Sequence, residues 1–248
     1  MQTAIMIFRP TDKMSWRMLR LCLRSLRKVS SCAVIIYTDS FTCVHADIAA
    51  GMKNVHWKVV DADLMYNRLM LFKVESLYRL VDSVLSDNTQ VLCVDTDTYF
   101  MADPFQAFMQ SFDVGFTSRH YRYQYPINAG VVFVRVNPAS RYFLKYAVKQ
   151  IVNPTWPAYV QWRKRFNRTG VDWYVDQDFY SVAYLNRCSM AVDIKDVGSR
   201  FNFCPHADGE TTEQGKQEMR DAYKAGDAVV LHLKSRLKEL VTEGMFDE

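Results

Sequence analysis

Glycine and proline are scarce in this chain, 9 and 7 among 248 residues, and no low-complexity tract, internal repeat or long polar linker interrupts it. That excludes a string of small modules or a disordered tail, and it predicts that the whole length folds. No apolar run approaches the roughly 20 residues that span a bilayer. Nothing at the N-terminus resembles a signal peptide, so a cytoplasmic location is expected. The six cysteines, at positions 22, 32, 43, 93, 188 and 204, contain no C-x-x-C pair. This argues against a zinc site or a disulfide framework and for reduced, mostly buried thiols.

What is present is a large apolar fraction, 49% of the residues, enough for the core of one α/β domain covering 1–248. The net charge is only +4, but cations cluster from Arg17 to Lys28 and from Arg163 to Arg168. Such basic faces suit anionic ligands or peripheral membrane contact, and no nucleic acid partner is expected. Apolar patterning predicts strands near 3–9, 32–38, 55–60 and 90–95, with helices near 15–29 and 66–87. In the second helix Leu69, Phe72, Leu77, Leu80 and Val84 form the stripe that packs on a sheet. Further strands are predicted near 113–117, 127–135, 190–194 and 228–233. The expected fold is α/β: a mixed, Rossmann-like central sheet flanked by helices. About 1–100 forms a nucleotide-binding half and about 101–248 an acceptor- and sugar-binding half.

The most informative stretch is Val91-Leu92-Cys93-Val94 running into Asp95-Thr96-Asp97. Acids one residue apart at the carboxyl end of a buried strand lie where open α/β sheets bind ligands. Side chains alternate along extended backbone, so Asp95 and Asp97 can point to one side and meet a divalent cation that also bridges two phosphate oxygens. The competing account is a solvated turn.

Four motifs follow in order: Ile127-Asn128-Ala129-Gly130-Val131, Val175-Asp176-Gln177-Asp178, Arg200-Phe201-Asn202-Phe203 and Val230-Leu231-His232-Leu233-Lys234. Together with the D-x-D they resemble GT-A-fold nucleotide-sugar glycosyltransferases, most closely the retaining family that includes glycogenin and the lipopolysaccharide galactosyltransferases. The resemblance covers roughly residues 3–238. It implies that Asp95, Asp97 and His232 hold Mn²⁺ (or Mg²⁺), with Thr96 beside the donor. It places Asn128, Ala129 and Gly130 along the donor sugar. Asp176, Gln177 and Asp178 are implied at the reacting face, and Lys234 and Lys238 at the diphosphate. The family tail has Gly where this chain has Ser235, and its Pro-Trp is absent here, which alters how closely that backbone can approach phosphate. By position, Phe8, Arg9 and Thr11 occupy the loop that meets the base, Arg68 lies over the nucleotide, and Lys73 follows on the same helix.

The implied activity is transfer of a sugar from a nucleotide-diphosphate donor, a UDP-sugar for preference, to a glycan or lipid-linked saccharide, with retention. Several residues have blander accounts. Asp176 reads equally as a helix N-cap, Lys73 as part of a solvated helix face, His232 as a hydrogen-bonded strand end, and the N-A-G segment as a strand with a bulge glycine. An inverting enzyme with Asp176 or Asp178 as general base remains open, as does a catalytically silent sugar-nucleotide or glycan-binding protein. A pyrophosphorylase fits poorly, since no glycine-rich phosphate loop occurs near the N-terminus. The basic aromatic stretches 119–126 and 156–173 are candidates for the acceptor side.

Overall fold

The computed structural model describes every residue except 10–11, 40–51, 61–67, 119–124, 169–173, 206–212 and 247–248. Apolar runs in the first half form β1 (Gln2–Ile7), β2 (Ala33–Thr38), β3 (Val55–Val59) and β4 (Gln90–Val94). The second half adds β6 (Val114–Ser118), β7 (Ile127–Arg135) and β8 (Ile194–Asp196), giving the sheet order β3-β2-β1-β4-β7-β6-β8. The β1–β2, β2–β3, β1–β4 and β6–β8 pairs are parallel, whereas β7 is antiparallel to both β4 and β6. The predicted mixed α/β sheet is therefore observed. Strand order reverses between β1 and β4, so the crevice at their carboxyl ends is the expected ligand position.

Helix α1 (Lys13–Val29) begins at Asp12, whose carboxylate accepts from the Ser15 amide at 2.8 Å, and it buries Leu19, Cys22, Leu23 and Leu26 against one sheet face. Helices α2 (Leu69–Ser83), α3 (Pro138–Val152) and α5 (Val175–Leu185) pack on the other face, with α4 (Pro157–Arg165) against α5. The predicted helix at 66–87 ends earlier, at Ser83. Arg141 from α3 donates to the carbonyls of Val81, Asp82 and Leu85 and thereby closes it. Val84 consequently lies outside the packed stripe and is 59% exposed. The strand predicted at 190–194 begins at Ile194, because the Asp113 carboxylate takes the Asp193 amide and starts the parallel register there.

A second, two-stranded sheet pairs β5 (Thr98–Phe100) with β9 (Val230–His232) and sets Thr98 opposite His232. This pairing matters most for the site. It draws a histidine from the C-terminal region to the residue following the D-x-D, with the Leu233 amide on the Asp97 carbonyl at 2.7 Å. After α6 (Glu213–Ala225) and β9, the short α7 (Glu239–Thr242) packs with Tyr99 and Phe246 in a third apolar cluster. No helix among the described residues is long and apolar enough to cross a membrane.

Candidate active site

At the carboxyl end of β4, Asp95, Asp97 and His232 present one ligand atom each, all within 4.8 Å of one another. The imidazole is fully buried, with Nε2 3.1 Å from Asp97 Oδ1 and 3.8 Å from Asp95 Oδ2.

The position of the imidazole proton follows from a chain of hydrogen bonds. A carbonyl can only accept, so Thr117 Oγ1 donates to Asn128 O at 3.1 Å. The Thr117 oxygen then accepts from Asn202 Nδ2 at 2.8 Å, and that nitrogen also reaches Asn128 O at 3.2 Å. Both contacts orient the amide, leaving Asn202 Oδ1 as the acceptor 2.9 Å from His232 Nδ1. Nδ1 carries the proton and Nε2 is bare. Burial, then the nearby Lys234 charge, depresses the histidine pKa and keeps the ring neutral. Burial pushes the Asp97 carboxyl up, but the charges of Lys238 and Lys234 beside it act the other way and keep it ionised. A bare nitrogen and two carboxylate oxygens thus converge without a proton between them. The residues fit a divalent cation.

Gly130 creates the space for this ring. A Cβ there would lie 2.0 Å from His232 Cε1 and 2.5 Å from Nδ1. Its strand neighbours serve other purposes: the Asn128 side chain turns back to accept from the Gly130 amide at 3.1 Å, and the Ala129 carbonyl accepts from Lys73 at 2.8 Å. Lys73 is buried rather than on a solvated face, bonded to Asp95 Oδ1 at 2.7 Å and 3.5 Å from Asp176 Oδ2. Burial would lower its pKa, but the two carboxylates outweigh that and keep it charged. Asp176 is raised, chiefly by burial.

Asp176 is not the N-cap of its helix; that position is Tyr174, and Asp176 Oδ1 accepts the next backbone amide at 2.7 Å. Asp178 points away from the lysine cluster. It accepts from Trp162 Nε1 at 2.9 Å and pairs with Arg168 at 3.5 Å, tying α4 to α5. Gln177 lies buried between them in the first turn.

A cleft of about 200 Å³ opens beside the acids, lined by Arg9, Ser15, Met18, Leu69, Thr96 and Lys238 among others. Lys238 is 3.1 Å from Asp97 Oδ2, and Lys234 is 3.4 Å from Asn128 Oδ1. Phe8 does not face this cleft: its ring is buried edge-on against Trp16, 4.8 Å between centroids. Arg68 is exposed at the N-cap of α2, and Thr11 lies outside the described residues. Burial pushes the Cys22 and Cys93 thiols up to about 12, which removes both as nucleophiles.

Asn202 belongs to the Arg200–Phe203 motif, but its role rests on contacts with Thr117, Asn128 and His232, far away in the chain. For a divalent cation held by these three residues, Asp95, Asp97 and His232, Asn202→Ala is expected to weaken binding about 10- to 100-fold by releasing the imidazole proton to either nitrogen, as calorimetry would show. Ser235, the residue in place of the family glycine, has φ +48°, the left-handed region that glycine adopts without strain. Ser235→Gly is therefore expected to raise stability by about 1 kcal/mol, read as a higher melting temperature.

Residues 64–157 match the family model described as nucleotide-diphospho-sugar transferase. No curated protein matches the chain in sequence. Among solved structures, mouse xyloside xylosyltransferase 1 in its apo form superposes with TM-score 0.62 at 11% identity, covering 94% of this chain and 97% of the other. The galactosyltransferase LgtC, solved with donor and acceptor sugar analogues, gives 0.57 at 14% identity over 100% and 95%. The glycosyltransferase GlyE of Streptococcus pneumoniae TIGR4 gives 0.56 at 14% identity over 99% and 61%. The chain has the fold shared by these glycosyltransferases, and its residues 64–157 match the nucleotide-diphospho-sugar transferase model.

Proposed function

We propose that the chain transfers a sugar from a UDP-sugar to a hydroxyl of a glycan or lipid-linked saccharide, with retention and with a divalent cation held by Asp95, Asp97 and His232. The observation that carries this reading is the proton-free convergence of His232 Nε2 with the two carboxylates. Two oxygens and one imidazole nitrogen suit Mn²⁺, with Mg²⁺ as the harder alternative. When bound, such an ion offsets the negative charge that develops on a departing diphosphate.

The protein's own groups supply the rest. Lys238 and Lys234 flank the same acids, so Lys238 can move from Asp97 to a phosphate oxygen once that carboxylate is otherwise engaged. Lys73 holds Asp95 and Asp176 in place from beneath. Arg9, Thr96 and Leu69 line the cleft proposed for the nucleoside, and Asn128 and Gly130 adjoin it through Lys234 and His232. The lysine contact of Asp176 and the tryptophan and arginine contacts of Asp178 leave neither carboxylate placed as an unencumbered general base. That favours retention by front-face attack, with Gln177 near the reacting carbon, over inversion.

A donor screen tests this directly. Mn²⁺-dependent release of UDP from UDP-sugars is expected in preference to GDP- or dTDP-sugars, and NMR of the transfer product is expected to show the donor's own anomeric configuration. An inverted product would assign the base role to Asp176 or Asp178 and defeat the retaining mechanism.

A further inference from the structure

Outside the cleft, the largest concentration of unbalanced charge lies on α1, whose sequence carries Lys13, Arg17, Arg20, Arg24, Arg27 and Lys28 and no acid. Arg17, Arg20, Arg24 and Lys28 recur at intervals of three and four and are all exposed, so they form one stripe. Among the described residues none of these four makes an ion pair or a hydrogen bond. Several cations elsewhere are balanced by acids: Arg79 pairs with Glu75, Arg220 with Glu243, and Arg236 with Glu213 and Glu239. Like charges at this spacing destabilise their own helix, and cations near its N-terminus oppose the helix dipole. An external anion relieves both.

The stripe walls a groove of about 280 Å³ whose floor includes Leu21, Tyr99, Val241 and Phe246 and whose lining contains no acidic side chain. At 1.5 Å per residue the four cations span about 16 Å along an exposed helix, so all can face one plane. The groove also adjoins the donor cleft: Arg17 neighbours Met18, which lines the cleft, and Val241 lies one turn beyond Lys238, which does too.

We propose that this groove binds the phosphate groups of an anionic phospholipid surface, seating the donor cleft beside the bilayer. A cationic rim over an apolar floor matches a molecule with phosphate above carbon. Single-stranded nucleic acid fits less well, since Tyr99 and Phe246 stack on each other at 4.5 Å and are each only 7% exposed, offering no open face to a base.

The test is co-sedimentation of the full chain with phosphatidylcholine vesicles, with and without phosphatidylglycerol. Binding is expected only to the anionic vesicles and should weaken as salt rises. Each of Arg17→Gln, Arg20→Gln, Arg24→Gln and Lys28→Gln should weaken it about fivefold, and the four together about a hundredfold or more. Donor hydrolysis in lipid-free buffer and the melting temperature should not fall in the quadruple variant, which separates lost binding from misfolding. Equal binding to neutral vesicles, or wild-type binding by the quadruple variant, would overturn the proposal. Release by millimolar glycerol phosphate would also overturn it, in favour of a small soluble phosphate. Because sedimentation needs no turnover, its outcome is independent of the transferase activity.

Discussion

Asp97→Asn and Asp95→Asn are each expected to lower turnover about 10³-fold or more while the protein remains folded. Charge stabilisation by a cation contributes several kcal/mol to the transition state, and each 1.36 kcal/mol is tenfold in rate. The fold should survive because the side chains lie at the sheet edge, 33% and 21% exposed, rather than in the core. The two variants should differ in stability. Asp95→Asn leaves Lys73 with Asp176 as its remaining carboxylate, whereas Asp97→Asn removes one acid from a pair of partly exposed lysines, so Asp95→Asn should melt lower. Initial rates in metal-replete buffer and thermal melts on the same samples check both statements. Normal turnover by the two variants would return the D-x-D to a solvated turn.

Gly130→Ala should be nearly as damaging, although it adds only one methyl group. The added carbon would sit 2.0 Å from Cε1 of an imidazole whose Nδ1 is held by Asn202. The backbone cannot yield easily either: Val131 is paired with Val94, and the Asp95 amide bonds to the Gly130 carbonyl at 2.9 Å. Ring or strand must shift, at a cost of about 1–3 kcal/mol in stability. Metal affinity should drop by about 100-fold or more as the His232 nitrogen leaves the acids. Ala129→Gly on the same strand adds no atom and serves as the control. Wild-type Mn²⁺ affinity in Gly130→Ala, measured by calorimetry, would show that the ring has room to move.

Much of the framework was legible from local pattern. The apolar run before Asp95, the stripe of α2 and the strands of the first half follow from period and burial alone, because each is a continuous segment with one dominant environment. What escaped depends on contacts between distant segments. The three-residue strands β5 and β9 are too short to carry a period, yet their pairing is what delivers His232. Lys73 has the composition of a solvated helix position, and only the carboxylates of Asp95 and Asp176, from β4 and α5, make its burial tolerable. Asp176 has the right residue type for an N-cap, but the helix is capped two residues earlier, at Tyr174, which places Asp176 in the first turn. Phe8 is adjacent in sequence to Arg9, which lines the cleft, but alternation along the chain turns its ring toward α1. Ser235 adopts a left-handed backbone, φ +48°, that its side chain gives no reason to expect from the sequence.

Calorimetric titration of UDP into the protein, with Mn²⁺ and then with chelator, tests most directly whether Asp95, Asp97 and His232 form a metal site that a nucleoside diphosphate shares. If they do, UDP should bind at least about tenfold more tightly with the metal, and Asp97→Asn should erase that difference, since metal and diphosphate affinities are reciprocally linked. Equal UDP affinity with and without Mn²⁺ in the unaltered protein would contradict it.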